Sequence, residues 1–183
     1  MQISHLMRAV VCCWILVLGG CATGPKIRVD MDPGTDLRSY KTFAFFEPAS
    51  TDGTQYTTLI SARLKQSTRA QLERLGFVYA EAEPDLRVNF FLKVVNKQEI
   101  RTSGGYYGYR ANRYGTWAGY PYVDTVEYRE GTLSVDLVDT KRRQLVWQGI
   151  AEGEVQDDSL KSPGPAIDGV VAKIFSNFPY PPE

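Results

Sequence analysis

The chain has 183 residues, with 21 basic and 21 acidic side chains, one histidine and three cysteines. His5, Cys12 and Cys13 lie within the first 20 residues, so a chain that loses this segment keeps Cys21 as its single cysteine and has no histidine. Such a chain cannot form a Ser-His or Cys-His catalytic pair, a histidine-ligated metal site, a zinc finger or an internal disulfide bond.

Residues 1–20 have the pattern of a secretory leader. Residues 1–8 carry one basic and no acidic side chain, and residues 9–18 are an unbroken apolar run. Ten residues of helix rise only about 15 Å, too little to span a bilayer core of about 30 Å. The run ends in Leu-Gly-Gly-Cys at residues 18–21, which resembles the bacterial lipobox. The pattern predicts lipidation of Cys21; the alternative is an ordinary signal peptide followed by a chance cysteine.

A lipid on Cys21 predicts where the protein resides. Two acyl chains already anchor a protein stably, so the three of a bacterial lipoprotein, palmitate among them, attach it permanently. Ala22 follows the cysteine, whereas aspartate there resembles the inner-membrane retention signal, so we expect the outer membrane and a domain facing the periplasm. Residues 21–25 predict a short tether that holds the domain close to the leaflet. With 20 basic and 21 acidic residues, the mature chain lacks the charge that binds nucleic acid.

Hydrophobic periodicity predicts the elements of the remaining chain, which we expect to form one domain over residues 26–183. Alternating polar and apolar residues are typical of strands, and apolar residues at helical spacing indicate helices that bury one face. Gly76 is predicted to end the first helix, and Pro179 is predicted to end the second. In chain order we predict strands over residues 26–31 and 40–46, a helix over 58–75, strands over 85–96, 126–139 and 144–154, and a helix that begins at Pro163.

These elements indicate a fold class. The turn at residues 140–143 is short, so the strands on either side of it are predicted to form a hairpin. Helices inserted between and after antiparallel strands favour an α+β fold. We therefore predict a two-layer sandwich, with a mainly antiparallel sheet of about six strands and two amphipathic helices packed on one face.

Residues 104–122 have an unusual composition. They hold six of the eleven tyrosines, five glycines and one tryptophan, with no helical or strand period. Aromatic faces pack on sugar rings or enter membrane interfaces, glycines let a loop adapt, and arginines bind carboxylate or phosphate. A flexible loop, or a lengthened hairpin that covers an apolar sheet face, is the alternative. The candidate binding residues are Tyr106, Tyr107, Tyr109, Arg110, Arg113, Tyr114, Trp117, Tyr120 and Tyr122.

Carboxylates are the main remaining candidates for catalysis. Asp136 and Asp139 on one predicted strand, and Glu152 and Glu154 on the next, could pair for glycoside hydrolysis, which needs carboxyl groups about 5 to 9.5 Å apart. The alternative, which we favour, is a solvated strand face and an Asp-started turn. We predict no catalytic residue, no metal ligand and no cofactor. The basic turn at residues 141–143 is either a lipid contact or a polar hairpin tip.

Several short motifs together resemble the bacterial lipoproteins that carry a domain of unknown function, DUF4136. They span nearly the whole mature chain: residues 40–45 (YKTFAF), 75–77 (LGF), 84–90 (PDLRVNF), 131–139 (GTLSVDLVD), 145–149 (LVWQG) and 177–179 (NFP). The resemblance implies a fold and an envelope location but no activity, because the family has no agreed biochemical function. It also implies a variable glycine- and aromatic-rich insertion at residues 104–122.

The sequence thus favours a lipid-anchored envelope protein without catalytic activity, which binds or supports envelope components. Peptidoglycan, lipid head groups and envelope proteins are the expected partners besides the membrane itself. A carboxylate-dependent hydrolase acting on envelope glycans is the alternative function.

Overall fold

The computed structural model describes residues 24–53, 57–103 and 122–180. Six strands, three helices and one short 3-10 turn lie within these residues. The strands are β1 (Lys26–Met31), β2 (Thr42–Phe45), β3 (Val78–Tyr79), β4 (Leu86–Ser103), β5 (Tyr122–Asp139) and β6 (Gln144–Glu154), the helices are α1 (Leu59–Arg74), α2 (Asp157–Lys161) and α3 (Pro163–Phe175), and the 3-10 turn is Leu37–Ser39.

The six strands form one mixed sheet in the order β1-β6-β5-β4-β2-β3. The pairs β1–β6, β6–β5 and β5–β4 are antiparallel, whereas β2 runs parallel to both β4 and β3. The predicted α+β fold with a mainly antiparallel sheet of about six strands is confirmed. β1 and β2 are consecutive in the chain, yet three strands separate them, because β1 pairs with the last strand of the chain.

Helices α1 and α3 pack over one face of the sheet and enclose the core, as predicted. Trp147 is fully buried and stacks on Phe175 of α3 with ring centroids 5.4 Å apart. Leu64 and Leu72 of α1 belong to the same buried cluster. The helical spacing of apolar residues in α1 predicts a wider buried face than the structure has, since Leu59 at the start of the helix is 90% exposed. Small buried residues, Ser61, Ser67 and Thr68, complete the inner face of that helix.

Strands β4 and β5 are longer than the sequence predicted. They pair along their whole length, from Leu86↔Asp139 to Ser103↔Tyr122. Their outer neighbours end earlier, because β2 reaches only Val88 and β6 reaches only Glu130. Residues 95–103 and 122–130 therefore form a two-stranded ribbon that projects from the sheet, which we call the arm. The predicted hairpin between β5 and β6 is present at residues 140–143.

Candidate functional site

The sheet face opposite α1 and α3 carries a groove lined only by strand residues. Its volume is about 480 Å³. Side chains of a strand alternate between the two faces, so residues that flank the core positions of four strands meet on this side. The lining residues are Arg28 from β1, Gln148, Ile150 and Glu152 from β6, Thr132, Ser134 and Asp136 from β5, and Phe91 from β4.

The strand register places one row of side chains across the middle of the groove. Arg28 is paired with Ile150, Ile150 with Ser134, and Ser134 with Phe91. Phe91 is 52% exposed, whereas Ser134 is only 5% exposed. The small, covered serine therefore forms the floor between the two larger apolar side chains, and Arg28 and Phe91 form the outer walls.

A hydrogen-bonded carboxylate lies at one end of the groove. The Asp136 atom Oδ1 accepts hydrogen bonds from Oγ of Ser134 at 2.6 Å and from Nε2 of Gln148 at 2.9 Å. Both bonds go to the same oxygen, and Oδ2 of Asp136 has no hydrogen-bond partner within the described ranges. That oxygen remains an acceptor for a bound molecule.

The other end of the groove leads to a second polar cluster. Glu130 forms an ion pair with Lys97 of the arm. The hydrogen bond from Lys97 lowers the pKa of Glu130, and a hydrogen bond with Glu152 lowers it further. The same bond to Glu130 raises the pKa of Lys97. Lys97 and Glu130 therefore partner each other at this end of the groove.

Asp136 and Glu152, two of the carboxylates proposed from the sequence, do not come together as a pair. Asp136 and Glu152 both line the groove, but Glu152 is paired with Thr132, four residues from Asp136 along β5. That spacing is about 13 Å along the strand, beyond the range used by glycoside hydrolases. Asp139 is buried and accepts hydrogen bonds from Tyr40 and Arg142. Arg142 of the predicted basic turn is thus engaged by other residues of the chain, although its side chain remains 43% exposed.

The binding residues predicted in the glycine- and tyrosine-rich segment lie outside the described residues, as does Cys21. Tyr122 begins β5, where its backbone pairs with Ser103, but its side chain is outside the described part. The strands on both sides of the segment pair with each other up to Ser103 and Tyr122, and the alternatives for the segment itself stay predictions. The predicted but undescribed side chains are those of Tyr106, Tyr107, Tyr109, Arg110, Arg113, Tyr114, Trp117 and Tyr120.

Sequence reasoning missed the groove itself. Arg28, Phe91, Ser134 and Ile150 each occupy the outward-facing positions of an alternating strand, which is the only local signal they give. Their proximity depends on the order and register of four strands, and the longest sequence gap between them exceeds a hundred residues. Alternation identifies which residues face away from the core, but it does not say which strands are neighbours.

Two features are absent from the described residues. Within residues 24–53, 57–103 and 122–180, no three acidic, histidine or cysteine side chains are grouped so that they could hold a metal ion. None of the helices in these ranges has the length and apolar character needed to cross a membrane.

The sequence model of one protein family matches most of the chain. This family is described as a domain of unknown function, DUF4136, and the match covers residues 27–180. The resemblance inferred from the motifs is therefore confirmed for the domain, whereas the lipid anchor stays a prediction. No curated protein matches the sequence.

The solved structures that match this chain are distant from it in sequence. A PDZ domain protein from Parabacteroides distasonis has 15% identity and a TM-score of 0.56, over 84% of this chain and 35% of that one. The chain thus spans about a third of that protein's length, and the likeness shows a shared fold. PelC from Paraburkholderia phytofirmans, solved as a dodecamer, has 14% identity and a TM-score of 0.40, over 83% of this chain and 95% of that one. A homologue of a neuraminyllactose-binding hemagglutinin from Helicobacter pylori has 13% identity and a TM-score of 0.42, over 81% and 88%.

Proposed function

Because this chain belongs to the DUF4136 family, whose function is unknown, we propose a role from its own surface: it is a non-catalytic envelope-binding module, anchored by lipid at Cys21, that holds peptidoglycan glycan in its groove. The observation that carries the binding part is the row from Arg28 to Phe91 across the open sheet face. Its apolar, aromatic and cationic side chains meet over a small, covered serine.

The aromatic wall supports a sugar as the ligand. Phe91 exposes 52% of its surface, in a groove where most neighbours are polar. An aromatic face packs well against the C–H face of a pyranose ring, because both surfaces are flat and weakly polar. The groove volume of about 480 Å³ falls in the usual range for sites that hold small ligands.

Polar groups around the ring complete the match to a glycan. Asp136 offers a free acceptor oxygen, and the side chain of Gln148 is held beside it by a 2.9 Å hydrogen bond. Arg28 forms no ion pair with any residue in the part of the chain that the structure describes. A guanidinium group binds carboxylates with two parallel hydrogen bonds, and peptidoglycan carries carboxylates on its sugars and peptides. The proposed glycan therefore offers a sugar ring to Phe91 and a carboxylate to Arg28, the two side chains that form the walls of the groove.

The anchor places this groove next to its ligand. A lipoprotein on the inner leaflet of the outer membrane faces the periplasm, where peptidoglycan lies. The leader pattern and the apolar run before Cys21 support this location. In cells, we expect the Cys21→Ser chain to move from the membrane fraction to the soluble periplasm. Membrane association of that variant equal to wild type would contradict the anchor.

Co-sedimentation of the mature chain with purified peptidoglycan tests the groove. We expect Phe91→Ala to weaken binding by about tenfold or more, since a buried aromatic contact contributes upwards of about 1.4 kcal/mol. Leu145→Ala is the matched control, because Leu145 is 43% exposed and lies outside the groove lining. Equal affinity of both variants, with unchanged melting temperatures, would overturn the glycan-binding proposal.

The hydrolase alternative has its own test. If the groove cleaves glycan, Asp136→Asn or Glu152→Gln abolishes release of soluble sugar fragments by the purified chain. We expect no turnover above background in wild type or variants, because the two carboxyl groups are too far apart. Steady release that depends on either residue would replace the binding function with the alternative.

The glycine- and tyrosine-rich segment is tested separately. Residues 104–121 are replaced by a two-residue Asn-Gly turn, which suits the antiparallel pair that ends at Ser103 and Tyr122. Partners are then captured by crosslinking in intact envelopes. We expect the segment to contribute contacts, so the shortened chain should lose some crosslinked partners. An unchanged partner set would leave the groove as the binding surface.

A further inference from the structure

The N-terminal tether and the arm leave the sheet at the same end. Lys26, the first residue of β1, is paired with Glu152, which is paired with Thr132, which is paired with Lys93. β1 is parallel to β5 and antiparallel to β4 in this arrangement. The residues that precede Lys26 and the residues that follow Lys93 therefore leave the sheet in the same direction.

Simple lengths show that the arm extends further than the tether can. β4 continues for ten residues beyond Lys93 to Ser103, which is about 34 Å of strand. Cys21 comes five positions before Lys26, so the lipidated cysteine lies at most about 17 Å from the start of β1. Beyond the row that contains Lys26 and Lys93, β4 therefore extends about twice as far as the tether can reach.

From this geometry we infer that the arm is a second membrane contact, resting on the same leaflet that holds the acyl chains of Cys21. The inference rests on the proposed lipid anchor. A domain held within about 17 Å of the leaflet, with β4 extending about 34 Å past Lys93 at the same end, reaches the lipid head groups with the arm. The turn at residues 140–143, at the opposite end, faces the periplasm.

The surface of the arm fits a lipid interface. Two-stranded ribbons are only marginally stable in water by themselves, so an exposed ribbon benefits from a surface that covers it. Two exposed apolar side chains, Leu92 (40%) and Val94 (47%), lie on β4 at the base of the arm, and a third, Ile100 (70%), lies in the arm itself. These side chains share one face of the strand, because their numbers differ by even steps.

Charge on the arm does not favour anionic lipid over neutral lipid. The positive charge of Lys97 is balanced by Glu130 in an ion pair, and the two strands of the arm carry both basic and acidic residues. The contact is therefore apolar rather than electrostatic, and high salt leaves it in place. This property separates it from the attraction of a basic patch to an acidic leaflet.

Photocrosslinking tests the orientation. The mature chain has Cys21 as its single cysteine, so it can be coupled at that position to a maleimide lipid in phosphatidylcholine vesicles. A benzophenone amino acid replaces exposed Ile100 in the arm, or exposed Lys141 in the turn as the matched control. We expect lipid crosslinks from position 100 to exceed those from position 141 by about tenfold, in low and in high salt. Equal yields, or more from position 141, would overturn the inference.

The two proposals fail in different ways. Chemical coupling supplies the anchor in this experiment, so its result does not depend on lipidation in cells. If the Cys21→Ser chain fractionates like wild type, the natural anchor is wrong, whatever the crosslinks show. If the anchor holds but position 100 gives no excess of lipid crosslinks, the arm contact alone is wrong. Matching melting temperatures for both labelled chains show that the fold is intact.

Discussion

Tyr40 and Asp139 are 99 residues apart in the sequence, and the hydroxyl group of Tyr40 donates a 2.7 Å hydrogen bond to Oδ2 of Asp139. Arg142 binds the same carboxylate oxygen through Nε at 2.8 Å and donates from Nη2 to the Tyr40 hydroxyl at 2.7 Å. This triad joins the segment before β2 to the end of β5. These hydrogen bonds connect the turn at residues 140–143 to Tyr40, which is about a hundred residues earlier in the chain.

The triad makes stability depend on pH. Burial raises the pKa of Asp139, but hydrogen bonds from the backbone and side chain of Arg142 and from Tyr40 outweigh it and lower the pKa from 3.8 to about 2. A lowered pKa in the folded state stabilises the protein above the unfolded value. The stabilisation, about 2 kcal/mol, is complete above about pH 4 and is lost as the pH falls to about 2.

We expect Asp139→Asn to lower the free energy of unfolding at pH 7 by about 2 kcal/mol and to flatten its decline between about pH 4 and 2. Tyr40→Phe removes both hydrogen bonds that the hydroxyl group makes in the triad and should cost about 1 to 2 kcal/mol. Urea unfolding at several pH values measures both. If wild type and Asp139→Asn lose the same stability over that acid window, the carboxylate is not the source of the dependence.

Gly76 ends α1 in a backbone conformation that favours glycine. Its φ is +90°, and a Cβ atom placed there would meet nothing within 4 Å. Gly76→Ala should therefore destabilise the fold by about 1 kcal/mol through backbone strain alone. Gly169 in α3 has equal space around it, and Gly169→Ala should instead stabilise by about 0.5 to 1 kcal/mol. Thermal unfolding of the pair checks the opposite signs; shifts in the same direction would refute the backbone explanation.

Gly149 allows α3 to approach the sheet closely. A Cβ atom at this position would lie 2.3 Å from Cγ2 of Ile174 and 2.7 Å from a ring carbon of Trp147. Gly149→Ala should overpack the core and cost about 1 to 3 kcal/mol. Adding Ile174→Ala removes the nearest obstacle, so a double-mutant cycle should show recovery of part of the cost. Strictly additive losses would mean that the helix shifts freely instead.

Thr58 begins α1 by capping it. Its Oγ1 accepts a hydrogen bond from the backbone nitrogen of Ser61 at 3.1 Å and donates one to the carbonyl oxygen of Thr51 at 3.1 Å. Thr58→Ala should cost about 1 kcal/mol, whereas Thr58→Ser keeps the hydroxyl group and should cost little. Chemical denaturation of both variants measures the difference. Equal losses would assign the effect to the methyl group of threonine.

Local patterns in the sequence determined most elements of this fold. Residues 26–31 and 144–154 have the same bounds as predicted strands and as observed strands, and α1 begins one residue after its predicted start. Alternation, capping and turn residues depend on neighbours along the chain, so they can be recognised without knowing the fold. The two-residue β3 and the five-residue α2 escaped prediction, because such short elements carry no clear period.

The tertiary structure alone decided which strands are neighbours. β1 and β2 follow each other in sequence but lie on opposite sides of the central strands, and β4 and β5 continue past their partners into the arm. Strand pairing depends on contacts between distant residues, whose free energies are not encoded in any local window. The sequence by itself therefore determined the elements and the family, and it predicts a lipid anchor at Cys21. The groove, with Arg28 and Phe91 on its two walls, exists only because four strands pair in one register.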